Sequence, residues 1–100
     1  MAKKKVTISH KEMLDTLQTI HLLRQDYDNR AEVDDSEFLG AILYEILSKM
    51  HTDETNCIVE LDQQERFAVW LCLDNYREFT IQENQSDEQI RVESTMNKFK

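Results

Sequence analysis

One local signature recurs four times along this chain and constrains its layout more than any other feature: a helix start. A capping box sets Ser, Thr or Asp at the N-cap and Glu or Gln three residues later, so that side chains and free backbone donors satisfy one another. Ser9-His-Lys-Glu12 fits, with Ile8 and Met13 as a hydrophobic staple. Asp34-Asp-Ser-Glu37 fits, stapled by Val33 and Phe38. Asp62-Gln-Gln-Glu65 fits after Leu61, although Arg66 holds the staple position, and Ser86-Asp-Glu-Gln89 fits with Ile90 behind it.

Each signature opens a stretch of helical apolar periodicity. Met13, Leu17, Ile20, Leu23 and Tyr27 share one face, as do Leu39, Ile42, Leu43, Ile46, Leu47 and Met50. The third stretch, with Phe67, Val69, Trp70, Leu71, Leu73 and Tyr76, is apolar almost all round, and the fourth has only Val92, Met96 and Phe99. The spacing predicts helices at about 9–28, 34–51, 62–80 and 86–97. With no proline and one glycine, Gly40, the chain lacks the turn residues an all-β domain needs.

The expected fold is therefore all-α, a compact four-helix domain built as two αα-hairpins. Both halves read as an extended apolar pair (Val6, Ile8; Val59, Leu61), a long helix, a short polar loop and a second helix, which points to an internal duplication. The alternative is α+β, with a three-stranded antiparallel meander at about 57–82 made of Cys57–Leu61, Arg66–Leu73 and Tyr76–Gln82, since Phe67, Val69, Leu71 and Leu73 also alternate. One hundred residues make one domain, 1–100, with residues 1–6 read as a flexible basic tail.

Lys3, Lys4, Lys5 and Lys11 lie at one end and Lys98 and Lys100 at the other. Between Glu12 and Glu93 all 20 acids stand against six bases, so the body carries −14 where the whole chain carries −8. Such a surface repels phosphate backbones and attracts basic partners. No apolar run follows the first lysines as in a signal peptide, and the longest one, Phe67–Leu73, is too short to span a bilayer. The expectation is a cytoplasmic protein without membrane association, with Cys57 and Cys72 as reduced thiols.

No chemistry-bearing constellation emerges. His10, His21 and His51 have no metal-ligand spacing, and no Cys/His set exists, so neither metal nor cofactor is expected. The serines include no nucleophile elbow, and a lone Gly40 builds no phosphate loop. No enzyme is expected. Direct nucleic-acid binding is disfavoured because no helix has a row of Arg or Lys.

What remains is a non-enzymatic regulator or inhibitor, in the manner of small accessory proteins of mobile elements, that occludes a basic surface of a larger protein. In its sharpest form it mimics DNA. The candidate acidic face is Asp26, Asp28, Glu32, Asp34, Asp35 and Glu37, a dense run with Arg30 as its only base. Phe67, Trp70, Leu71 and Tyr76 are candidate interface anchors, expected to join two copies as a homodimer because one small core cannot cover them all. The alternative is a binder or sponge for a small anionic ligand such as a nucleotide, held between subunits, with His10 and Lys11 beside a helix N-terminus as a possible anion site.

Overall fold

The structure, a computed structural model, describes residues 2–100. In chain order it comprises β1 (Lys4–Ser9), α1 (His10–Asn29), α2 (Val33–Lys49), β2 (His51–Thr52), β3 (Asn56–Leu61), α3 (Gln63–Gln82) and α4 (Ser86–Asn97). The strands form one antiparallel sheet in the order β1-β3-β2. No helix is long and apolar enough to cross a membrane.

The four helices lie within about two residues of where the periodicity places them, but the fold is α+β, not all-α. The α+β alternative had its strands in the wrong place: only β3 falls in the expected 57–82 region, and Arg66–Leu73 and Tyr76–Gln82 both belong to α3. Val6 and Ile8 face Val59 and Cys57 across the β1–β3 ladder, and Val6, Ile8, Cys57, Val59 and Leu61 are all buried. Apolar residues at every second position suit a strand with one face on the core. Lys4, Lys5 and Val6, read from sequence as tail, pair with Leu61, Glu60 and Val59. In α3 the buried residues Ala68, Val69, Cys72 and Leu73, joined further along by Thr80, make an i, i+1, i+4, i+5 pattern that only a helix presents to one side. Phe67 and Leu71, which the strand reading put on the same face as Val69 and Leu73, stand exposed.

The two halves of the fold correspond position by position. Ser9 and Asp62, the N-caps of α1 and α3, are 53 positions apart, and each closes a complete capping box. The Ser9 hydroxyl accepts from the Glu12 N–H at 3.1 Å, and the Glu12 carboxylate accepts from the Ser9 N–H at 2.9 Å. Asp62 and Glu65 repeat this at 2.8 and 2.9 Å. The same interval relates the two helix ends. Glu32 N–H donates to the Tyr27 carbonyl and Ala31 N–H to that of Asp28, just as Gln85 donates to Thr80 and Asn84 to Ile81. Both are Schellman turns, with Ala31 and Asn84 in the left-handed region at φ 59° and 55°. Val6 and Val59, also 53 apart, face each other in register, so an approximate twofold axis passes between them.

These turns explain the two capping boxes that do not form. The chain leaves the left-handed residue already aimed into the next helix. Thus α2 begins at Val33 with Glu32 as N-cap, and α4 begins at Ser86 with Gln85 as N-cap, neither with a side-chain cap. Asp34 and Ser86 are helical residues and not N-caps. The core closes under the sheet with Ile20 and Leu73, Leu39 and Val92, and Ile46 and Phe99, three further pairs at the same interval and all buried. Leu47, assigned to the α2 stripe, lies outside it and is 60 % exposed.

Candidate functional site

On the helical side, away from the sheet, three clefts follow the twofold arrangement. The central one, about 290 Å3, is lined by Thr19, Leu22, Leu23 and Asp26 of α1 and by their counterparts Cys72, Asn75, Tyr76 and Phe79 of α3. Its lining is made of four symmetry-related pairs, so it sits on the axis. The cleft beside α2, about 490 Å3, includes Leu23, Tyr27, Asp35, Phe38, Leu71 and Glu78. Leu23, Cys72 and Asn75 line both clefts, which therefore run together as one groove.

The third cleft, beside α4, is only about 240 Å3 and is the counterpart of the second: Asp15, Gln18, Glu88 and Arg91 stand where Ala68, Leu71, Asp35 and Phe38 stand in the other half. Arg91 closes it. Its guanidinium bonds Glu88 one turn back on α4 and lies 3.5 Å from Asp15 of α1. In the open half no cation among the described residues fills that place, and Phe38 and Leu71 are left 45 % and 46 % exposed. Leu22 and Phe79, at 58 % and 50 %, extend the apolar surface along the axis. Exposed apolar residues gathered in one groove mark an interaction surface far better than scattered ones do.

The groove is rimmed by acid. Of the six carboxylates singled out by sequence, Asp26 and Asp35 line it, while Asp28, Glu32, Asp34 and Glu37 follow the chain around the α1–α2 junction. Arg30 engages Asp26 at 2.9 Å and Glu32 at 3.4 Å and lies 5.1 Å from the Tyr27 ring centre. Arg77 holds Asp74 and Glu78 on the α3 side. Asp28, Asp34, Asp35 and Glu37 have no ion-pair partner among the described residues. Burial pushes the Tyr27 hydroxyl up, and the nearby Asp35 charge adds to this. At the floor, burial pushes the Cys72 thiol up to about 11, so at neutral pH it is a protonated, unreactive group.

The four aromatic and apolar anchors divide between two places. Leu71 and Tyr76 belong to the groove. Phe67 and Trp70 stack at 6.3 Å between ring centres on a separate shelf beside Gln63, Arg66, Phe99 and Lys100. There the indole Nε1 of Trp70 and the Nε of Arg66 are buried with no hydrogen-bond partner among the described residues.

His10 and Lys11 do not converge on a cavity. The His10 Nε2 is 2.9 Å from the Asp53 carbonyl, Lys11 is exposed, and the adjoining helix start is capped by Ser9 and Glu12. The outer sheet face carries a basic hollow of about 620 Å3 that sequence reasoning missed, lined among others by Lys3, Lys5, Lys49 and His51. Glu45 neutralises part of it through Lys3 at 3.2 Å and Lys49 at 2.7 Å.

Phe38, Leu22 and Phe79 were not assigned to an interface. The signal was present in Leu22, an apolar residue off the core stripe of its own helix, whereas Phe38 was accounted for as a staple. No protein-family model, curated protein or solved structure matches the chain, so the functional reading rests on the groove and the chemistry of its walls.

Proposed function

We propose that this protein is a non-enzymatic interaction protein that captures a basic, apolar-faced segment of a larger protein in the groove between α1, α2 and α3, and so occludes it. The observation behind this reading is the coincidence of exposed Leu22, Phe38, Leu71 and Phe79 with the acidic rim in one groove. The body's −14 charge steers a basic partner inward, and the apolar floor then holds it. The DNA-mimic form of this reading rests on the unpaired acids Asp28, Asp34, Asp35 and Glu37. On this reading the whole groove is lined by one chain, so binding does not require a second copy. A homodimer through Phe67 and Trp70 is the competing arrangement, and sedimentation of the wild type against Phe67→Ser separates the two.

The test is capture from cells containing the natural partners, read by native mass spectrometry. The expected result is a mass above an integer multiple of 11.9 kDa that Leu71→Asp abolishes. Replacing Asp28, Asp34, Asp35 and Glu37 by amides weakens binding and flattens its salt dependence. A partner retained by Leu71→Asp with unchanged affinity overturns the groove reading.

The unpartnered donors of Trp70 and Arg66 favour a second reading, a small planar anion stacked on Phe67 with Arg66 and Lys100 at its charge. A melting-temperature rise of several degrees with a nucleotide supports it, and no rise across a nucleotide panel removes it.

A further inference from the structure

We infer that the segment taken by the groove is an amphipathic helix presenting an arginine among apolar residues, with the guanidinium seated against Asp35. This rests on the groove reading above and names its occupant. The other half of the fold supplies the template. There Glu88, the counterpart of Asp35, receives the guanidinium of Arg91, which also reaches Asp15 across the helix interface. In the open half the carboxylate is kept and the cation is gone, replaced by Phe38. On the α3 wall the counterpart of Asp15 is Ala68, but Asp74 and Glu78 stand where α1 has His21 and Gln25. Arg77 offsets one of these charges, so the site awaits a cation.

Two features select arginine over lysine. Asp35 can accept two parallel bonds from a flat guanidinium, which a point ammonium cannot give. Phe38 offers a ring face on which a guanidinium can stack, while the Tyr27 ring already carries Arg30 at 5.1 Å. Leu71, Phe38 and Leu22 lie on three different helices, and a groove between helices is the kind of surface on which an amphipathic helix lays its apolar face, with anchors at i, i+4 and i+7. A second copy of this chain is disfavoured as occupant, since it brings one acidic rim against another.

The probe is a synthetic amphipathic helix of about four turns with three leucines at that spacing and one arginine beside them, alongside versions with lysine or citrulline in its place. Amide-shift titration and calorimetry read the site and the affinity. The expected result is one peptide per chain, shifts centred on Asp35, Phe38 and Leu71, and a loss of about tenfold for citrulline, the size of a charge-assisted hydrogen bond. Asp35→Asn removes the difference between arginine and citrulline, and Phe38→Arg closes the groove while leaving the spectrum folded. Equal affinity of the arginine and citrulline peptides, with shifts still in the groove, overturns the arginine seat and leaves the groove reading intact. Absence of groove shifts with every peptide overturns the groove reading itself.

Discussion

Arg91 and Phe38 occupy the same position in the two halves of this protein, one closing a cleft between two carboxylates and the other standing beside an open one. Around them the halves agree closely. Val6 and Val59, Ile8 and Leu61, and Ile20 and Leu73 are paired in the core, and Glu12 and Glu65 close equivalent capping boxes. The sheet and helix starts tolerate little change because each position is fixed by burial or by a free backbone donor. The outer wall of the clefts faces no such constraint. One half spends it on ion pairs that complete the surface, and the other leaves apolar side chains for something else to cover. The difference separates what the fold requires from what it leaves free for recognition.

The strongest way to break the comparison is at the far end of the core. Ile46 lies inside α2, whereas its counterpart Phe99 lies past the end of α4, one residue from the C-terminus, yet both are buried to 1 % or less. If the two halves pack alike, terminal position should not matter. Phe99→Ala is expected to cost about 3–5 kcal/mol and Ile46→Ala about 2–5 kcal/mol in denaturant unfolding, the usual range for such truncations. A cost under about 1 kcal/mol at Phe99 would mean that the second half is closed only loosely.

A smaller contrast separates the helix starts. Ser9→Ala and Asp62→Ala each remove a formed cap and are expected to cost about 1 kcal/mol, while Asp34→Ala and Ser86→Ala, whose side chains cap nothing, cost under about 0.5 kcal/mol. The two formed boxes also differ, because only Glu12 is reached by the C-terminal turn, through Lys98 at 2.8 Å. Burial pushes the Glu12 carboxyl up, but the bonds from Lys98 and Ser9 outweigh it and hold the group below its ordinary 4.5. A depressed folded pKa stabilises the fold at pH above that ordinary value, and the contribution is lost as pH falls through the depressed one. Lys98→Met should therefore lower stability at neutral pH and lessen its loss between about pH 5 and 3. An unchanged acid profile would dissociate Lys98 from the cap.

The same contrasts explain how far the sequence could be read. Helices announced themselves because capping chemistry and apolar period agree over long stretches. The strands did not, since β1 and β3 each show only a short apolar alternation and pair across about 50 residues, and β2 is just His51 and Thr52. At Phe67–Leu73 the ambiguity arose from Phe67 and Leu71, apolar residues on a helix face that the core does not use. Such residues blur the helical period in proportion to their value as contact surface. The acidic side of the site was visible in Asp26 and Asp35, and its apolar side in Leu71 and Tyr76. Phe38 was hidden because a staple role already accounted for it, and the twofold relation that sets it against Arg91 lies in the tertiary structure.

The finest distinction lies in the two Schellman turns. Ala31 and Asn84 hold the same left-handed backbone, at φ 59° and 55°, but not at the same cost. A Cβ in this region costs about 1–2 kcal/mol for most residues, while asparagine adopts it more readily through local hydrogen bonds. Glycine relieves the clash and gives back about 0.4–1 kcal/mol through the greater freedom of the unfolded chain. Ala31→Gly is therefore expected to stabilise the fold by about 0.5–1 kcal/mol, and Asn84→Gly to change it by less than about 0.5 kcal/mol in either direction. Because the turns share their hydrogen bonds, the two substitutions isolate the side chain from the motif. Equal effects at both sites would show that the alanine turn stores no more strain than the asparagine turn, and that the halves differ only at the clefts.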